Sequence, residues 1–386
     1  MSRAPRGRRT AVKFRRSPHL VVYWRNGSLR IVNYAVRATS TANPLICELL
    51  DFCGEWRSLA EIDRNLSLGS SPLVPALLAR LVSLSLLVRS DRPVDSRVTA
   101  MDSFGSWNPE AGLFHTATKD VQFWSPSRTK RHARAAVGRA PMPSPVKRYP
   151  GAKTVGLPDA ATATPFAEVL LARRTSRRYS SVPVTIAELS TVLALSAGVQ
   201  QWANTDDGEV PLKTAPSGGA RHPIECYVVV RAVTGLKPAI YHYRADRHVL
   251  ERIRGAVSLD RMRAYVPHSG YFADASAMIF FTAAFERQLW RYPYSRAYRA
   301  ALIEAGHVCQ TFLLTATSLG LASYCVLGLA DSLIERDLGL DGITESVVYC
   351  AGVGRPPRGT PSAPLTRGRL SVRPNPRFSG QRVRRG

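Results

Sequence analysis

Acidic residues are the scarcest component of this chain: 28 Asp and Glu stand against 53 Lys and Arg, a net charge of +25. Long apolar runs are missing too. None approaches the ~18 residues a transmembrane helix needs. The N-terminal Met1-Ser2-Arg3-Ala4-Pro5-Arg6 leads into no apolar segment of the kind a secretory signal carries. Six cysteines, at 47, 53, 226, 309, 325 and 350, form no CxxC pair. That excludes an obvious zinc site or disulfide frame and points to reduced thiols in a cytoplasm. There is no Ser/His/Asp triad, GxGxxG, P-loop or internal repeat. What remains is a 386-residue chain, 45% hydrophobic and 21% charged. It has the composition of a soluble globular protein and length enough for two domains.

The positive excess would suit nucleic acid, but its distribution argues otherwise. Residues 1–18 hold seven Lys and Arg, residues 127–153 eight and residues 355–386 nine, with no acid in any of them. Those segments carry 24 of the positive charges, which leaves the rest of the chain near +1. All are rich in Pro, Gly, Ser or Ala and lack apolar periodicity, as solvated basic tails do. The expectation is no membrane partner and no nucleic-acid partner.

Leu20–Trp24 and Leu29–Val32 flank Asn26-Gly27, a strong hairpin signal. Short helices are expected over Asn43–Phe52, from Ser58 with Glu61 at capping-box spacing, and over Ser71–Leu87, where the leucines would be largely buried. Val88-Arg89-Ser90 could close a small sheet. Together these suggest a winged-helix-like module, and its few basic residues (Arg57, Arg64, Arg80) argue against DNA reading. Residues 91–160 look irregular and Pro-rich. From Phe166 onward helices and strands alternate: a helix over 166–171, another from Thr185, and a long one over Ser295–Leu319. Strands are expected at 226–230, 239–243, 277–281, 321–326 and 346–351. The fold class is α+β, a buried sheet flanked by helices.

Three runs carry the chemistry. Arg173-Arg174-Thr175-Ser176-Arg177 offers guanidinium forks and hydroxyls that suit a phosphate; a solvated helix end would carry the same residues. Pro216-Ser217-Gly218-Gly219 could bring backbone N–H groups and a hydroxyl to the edge of a flat ring, or be a plain loop. Glu304 and His307 share a helical face and could be structural. Leu327-Gly328 and Gly352-Val353-Gly354-Arg355 end strands and could meet a cofactor or simply turn. Arg291-Tyr292-Pro293-Tyr294-Ser295-Arg296 places tyrosines among cations, where a phenol could serve as acid or base.

These runs, with Ala239-Ile240-Tyr241-His242-Tyr243 and Arg296-Ala297-Tyr298-Arg299 leading into Glu304-Ala305-Gly306-His307-Val308-Cys309-Gln310, resemble the nitroreductase-like flavoproteins over roughly residues 160–356. More narrowly they resemble the SagB-type dehydrogenases of thiazole- and oxazole-modified peptide biosynthesis. The resemblance implies an α+β nitroreductase-like sheet flanked by helices, with FMN held between two subunits of a homodimer. Arg173, Arg174, Thr175 and Arg177 would meet the phosphate and ribityl end. Pro216, Ser217 and Gly218 would edge the ring, Leu327 and Gly328 would add backbone contacts, and Arg355 would be a second phosphate ligand. The implied reaction oxidises azolines to azoles, with dioxygen reoxidising the flavin, a peptide substrate possessing a leader, and a cyclodehydratase as partner.

The expected organisation is a disordered basic arm (1–18), a winged-helix-like peptide-binding domain (19–92), an irregular linker (93–160), the FMN domain (161–356) and a basic tail (357–386). The family's usual Lys-Tyr pair falls here on Tyr292-Pro293 or, with a one-residue slip, on Arg291-Tyr292; either way the Lys is missing, so Tyr292 or Tyr294 is expected to take the proton. Two other functions fit the same text. One is an NAD(P)H-dependent reductase of quinones or nitroaromatics; the other is a non-catalytic scaffold that holds a partner.

Overall fold

The computed structural model describes residues 11–66, 73–103, 105, 107–122, 124–137, 147, 164–206 and 208–359. The chain forms two compact units, Met1–Lys119 with Gln288–Arg299, and Asp120–Arg287 with Ala300–Gly386.

In the first unit, the expected hairpin forms from Leu20–Arg25 and Ser28–Asn33, joined by Asn26 (φ 52) and Gly27 (φ 73). Positive φ at both positions is what a two-residue primed turn needs, and Asn-Gly tolerates it. Ala38–Thr41 adds a third strand. Three helices follow. Pro44–Phe52 is capped by the Asn43 side chain, which accepts from the Ile46 N–H. Leu59–Leu66 is capped reciprocally: Glu61 Oε2 accepts from Ser58 N at 2.7 Å, and Ser58 Oγ accepts from Glu61 N at 3.3 Å. Leu73–Ser83 is shorter than the apolar run suggests. Ser85 turns left-handed (φ 57), and Leu86 N–H closes on Leu81 C=O. Ile31, Leu49, Ile62, Val74, Leu78 and Leu81 form the core, whereas Leu73 is 72% exposed.

Two sequence expectations are corrected here. Residues 13–16 do not belong to a disordered arm: Lys13–Arg16 is the central strand of an antiparallel sheet between Arg57–Ser58 and Leu87–Arg89. Phe14 anchors it by packing on the core, a signal that the surrounding charge obscured. The stretch 93–160 also contains three helices, Ser96–Asp102, Pro109–Ala117 and Pro126–Val137. Asp95 caps the first by accepting from Arg97 N–H, and Pro stands at the first turn of the second. Frequent proline therefore marked helix starts as well as loops. The remainder of the linker, residues 1–10 of the arm and the tail beyond 359 lie outside the described residues.

The second unit is built on a six-stranded antiparallel sheet in the order Val249–Arg254, Ala239–Arg244, Ile224–Val230, Ala277–Ala284, Glu345–Gly354, Ala322–Val326. Every residue of Ala277–Ala284 is buried, so this central strand reads as a continuous apolar run. On one face Tyr227, Ile240, Phe280 and Cys350 pack with Met262, Ile334 and Leu338 from helices Leu259–Tyr265 and Asp331–Leu338. Phe281 meets Phe312 edge-on at 6.2 Å, which marks the other face. Phe312 belongs to the long helix Arg296–Ser318, whose Ala301, Ala305, Cys309, Phe312 and Ala316 are all buried at three- and four-residue spacing. Helix Ile186–Ala197 starts at the expected Thr185 cap, which Glu188 completes as a capping box. The edge strand Val249–Arg254 and the hairpin Gln201–Thr205/Gly208–Leu212 lacked a sequence signal because both are mostly exposed. Among the described residues no helix is long and apolar enough to cross a membrane.

Candidate functional site

The arginine run begins where helix Pro165–Ala172 ends, with Arg173 at its C-cap. The chain then docks on the edge strand Ala322–Val326. Thr175 bridges Ser323 in parallel, and Ser176 N–H donates to Ser323 C=O at 2.8 Å. The cations divide into two kinds. Arg174 Nη1 donates to the carbonyls of Leu171 and Arg173, both at 2.7 Å, and so closes the helix end. Arg355 Nη2 donates to Glu188 Oε2 at 2.7 Å and sits near Pro183 O at 3.4 Å. Burial alone would raise the Glu188 carboxyl. The Thr185 N–H and hydroxyl and the Arg355 guanidinium outweigh it and hold Glu188 below the ordinary glutamate value. Arg174 and Arg355 thus each spend one guanidinium nitrogen on a contact within the chain, while Arg355 Nε is buried without a partner among the described residues. By contrast, the side chains of Arg173, Thr175 and Arg177 have no hydrogen-bond partner among the described residues.

The Pro216–His222 loop is anchored on a different element, the long helix. Glu304, 5% exposed, accepts from Gly218 N–H at 3.0 Å, and His307 Nδ1 lies 3.3 Å from Pro216 O. The two helical residues that sequence left open between structure and catalysis therefore hold the loop. Within it Gly219 (φ 62), Ala220 (φ 52) and His222 (φ 44) are all left-handed. For the last two this conformation is costly and is kept by the surrounding bonds. Ser217 Oγ accepts from His222 N–H at 2.8 Å. Its own proton has no acceptor among the described residues, so the hydroxyl is oriented and free to donate. The Gly218 N–H, expected to face a ligand, is instead taken by Glu304.

Beneath the loop lies a polar group that sequence reading missed. Arg287 Nη1 donates to His222 C=O at 3.0 Å and pairs with Glu225 Oε1 at 2.5 Å. Glu225 Oε2 in turn lies 2.9 Å from His242 Nε2. Burial, with Lys213 and Arg287 nearby, lowers His222 to about 4, which leaves it a weak base. Burial likewise lowers the Lys213 ammonium. The available signal was Glu225 and His242 standing inside otherwise apolar strands, where a charge needs a partner.

Leu327 and Gly328 follow the edge strand, and Leu327 is 71% exposed. Tyr292 and Tyr294 fall in the segment that belongs to the first unit, with ring centroids 6.0 Å apart and Arg291 over the Tyr292 ring at 5.8 Å.

The model of the nitroreductase family matches residues 170–355. A candidate nitroreductase of Methanocaldococcus jannaschii is 36% identical over 171 residues, 44% of this chain and 82% of that protein. The trifolitoxin-processing protein TfxB of Rhizobium leguminosarum bv. trifolii is 36% identical over 153 residues, and the microcin B17-processing protein McbC of Escherichia coli 30% over 156. These matches take up 38% and 37% of this chain, and span only 41% and 54% of the two processing proteins. Among solved structures, a candidate nitroreductase from Anabaena variabilis aligns at 27% identity and a TM-score of 0.43, over 50% of this chain and 38% of that one. The Escherichia coli microcin synthetase complex McbBCD with truncated pro-MccB17 aligns at 19% and 0.46, over 69% of this chain and 98% of the matched chain. Because the archaeal relative is matched over most of its length at 36% identity, the chain belongs to the nitroreductase family.

Proposed function

We propose that this protein is an FMN-dependent oxidoreductase that converts azolines to azoles in a ribosomally made peptide and acts as a homodimer. The observation that carries the reading is the pair of unfilled donor sets. Arg173, Thr175 and Arg177 are cationic or hydroxyl-bearing side chains of one short run, with no hydrogen-bond partner among the described residues. Ser217 presents a fixed, unspent O–H on a loop whose Gly218 and Gly219 have no Cβ to hold a flat ring away. Both fit the flavin: the first its phosphate and ribityl end, the second the ring edge, with Pro216 beside it and Leu327-Gly328 at the strand end. Arg174 and Arg355 are left out of this set.

FMN when bound supplies a two-electron acceptor. The chain's own part is to orient the substrate, hold the ring and take the Cα proton. Tyr292 or Tyr294 is the proposed proton acceptor, in place of the family's Lys-Tyr pair. The peptide substrate is supported by the names of TfxB and McbC, both peptide-processing proteins. A cavity of about 900 Å³ in the first unit, lined by Phe14, Leu59, Val74, Arg64 and Arg89 among others, offers a place for a leader segment. A second copy would cover helix Pro165–Ala172, which buries no residue, and the exposed Leu302 and Ile303 of the long helix. A cyclodehydratase that makes the azoline is the implied partner.

The test is the absorption spectrum and turnover of purified protein supplied with FMN. Flavin bands together with oxygen-dependent conversion of an azoline peptide are expected. Absence of flavin uptake overturns the reading, and NAD(P)H-driven reduction of quinones without azoline turnover replaces it with a reductase.

A further inference from the structure

A continuous series of polar contacts runs from the surface of the second unit to the Ser217 hydroxyl. It starts at Glu251, whose side chain is 45% exposed. Glu251 Oε2 lies 3.2 Å from His242 Nδ1, and His242 Nε2 lies 2.9 Å from Glu225 Oε2. Glu225 Oε1 pairs with Arg287 at 2.5 Å, Arg287 donates to His222 C=O at 3.0 Å, and His222 N–H donates to Ser217 Oγ at 2.8 Å. A neutral imidazole has one N–H. Here both ring nitrogens face carboxylates, so both contacts are satisfied only by the imidazolium.

We propose that Arg287, Glu225 and His242 are positioning residues for Ser217, and that the charge on His242 sets how firmly the Pro216–His222 loop is held. The proposal deepens the flavin reading, because Ser217 is the hydroxyl assigned to the ring edge. Arg287 fixes the carbonyl of the same residue whose amide fixes Ser217. Its direction is set by Glu225, and Glu225 is held on its other side by His242. When His242 loses its proton, one N–H must serve two carboxylates. Among the described residues Arg287 is then the one cation left bonded to Glu225, and the pair can swing away from His222.

The sign follows from the same contacts. The bond to Glu225 raises His242, burial opposes it, and Glu251 adds to the rise. The loop is therefore held while His242 keeps its charge and loosens as pH climbs through a value above the ordinary histidine range. The other groups facing this histidine are Tyr227, with its ring 5.1 Å away, and Arg244, which binds Glu251 at 3.3 Å from the same strand. Lys213 and Glu345 also act on Glu225. Burial pushes Tyr227 up and Glu345 up.

The readout is hydrogen exchange of the His222 amide, measured by mass spectrometry as protection relative to an unstructured peptide. In the wild-type protein, protection should fall about fivefold between about pH 6 and about pH 9, the lower end of ordinary couplings between sites. In His242→Gln, which keeps a neutral donor toward Glu225, the pH slope should vanish. In Glu225→Gln, protection should stay low throughout. His242 is half-buried near the sheet edge, so its variant tests the proposal even if Glu225→Gln fails to fold. A flat wild-type profile, or a His242→Gln protein that keeps the slope, overturns it. Exchange does not involve flavin, so this outcome is independent of whether FMN binds. Where FMN does bind, its Kd should rise with pH along the same course in wild type only. A Kd that ignores pH while exchange does not would break the link to Ser217.

Discussion

The Arg173–Arg177 run and the Pro216–His222 loop look alike as text, short polar turns rich in ligand-type residues, yet they are built in opposite ways. In the run, the backbone is secured by the Ser323 strand edge and three side chains are left without hydrogen-bond partners among the described residues. In the loop, Glu304 and His307 of the long helix hold Gly218 N–H and Pro216 O, and His222 N–H holds Ser217 Oγ, so the Ser217 proton is left without an acceptor among the described residues. The first offers side-chain charge; the second is a shaped piece of backbone. Residue type alone did not separate them. What separates them is which groups the fold has already satisfied.

The largest effect should come from removing that side-chain charge. Arg173→Ala with Arg177→Ala removes two charge-assisted contacts, each worth roughly 1.5–3 kcal/mol. FMN affinity should fall by at least about a hundredfold with the fold intact. Arg174→Ala, one position away, should change affinity less than about threefold, because that guanidinium serves the helix end. Titration of the two variants by flavin fluorescence checks the division. Equal losses would erase the distinction between occupied and unoccupied arginines.

Next in size is turnover. General-base assistance is typically worth ~10²–10⁴-fold. Either Tyr292→Phe or Tyr294→Phe should cut azoline oxidation at least about tenfold and leave FMN bound. If neither does, the proton acceptor lies outside this turn. His222, lowered to about 4 by burial, is then a poor replacement.

Smaller again is the loop. Glu304→Gln keeps the shape and still accepts from Gly218 N–H, but loses the charge, so FMN affinity should weaken by about tenfold or less. Glu304→Ala leaves that N–H without its acceptor and should weaken it more. Wild-type affinity in the alanine variant would mean the loop holds itself.

How much of this was legible depended on periodicity and partners. The central strand Ala277–Ala284 and the long helix were readable because apolar spacing announces burial in both. The Asn26-Gly27 turn, the Ser58/Glu61 capping box and the Thr185 cap were readable because each rests on residues a few positions apart. Strand Lys13–Arg16 was not, since one Phe among basic residues gives no pattern until Arg57 and Arg89 arrive from distant sequence. Sequence could not divide the arginines into those bonded within the chain and those left without a side-chain partner among the described residues. Glu188 and Arg355 are 167 positions apart, and no local rule joins them. The chain of contacts beneath His222 was missed for the same reason: Glu225, His242 and Arg287 meet only across the sheet.

The smallest expected effect lies on that occupied arginine and sharpens the comparison from the other side. Arg355 and Glu188 are 30% and 23% exposed and meet at 2.7 Å beside the cap of helix Ile186–Ala197. Arg355→Ala should leave FMN affinity unchanged and lower stability at neutral pH by on the order of 1 kcal/mol, as a partly solvated pair does. The pH course carries the argument. Glu188 is held below its ordinary value, so the stabilisation is present above the unfolded carboxylate range, near ~4.3, and is lost as pH falls through the folded value. The gap between wild type and Arg355→Ala in urea unfolding should therefore be widest at neutral pH and shrink on acidification. Glu188→Gln should shrink the gap at every pH, because the amide leaves Arg355 without a charged partner. A gap that persists unchanged in acid would show that Arg355 acts through its bond to Pro183 or through packing, and not through the carboxylate.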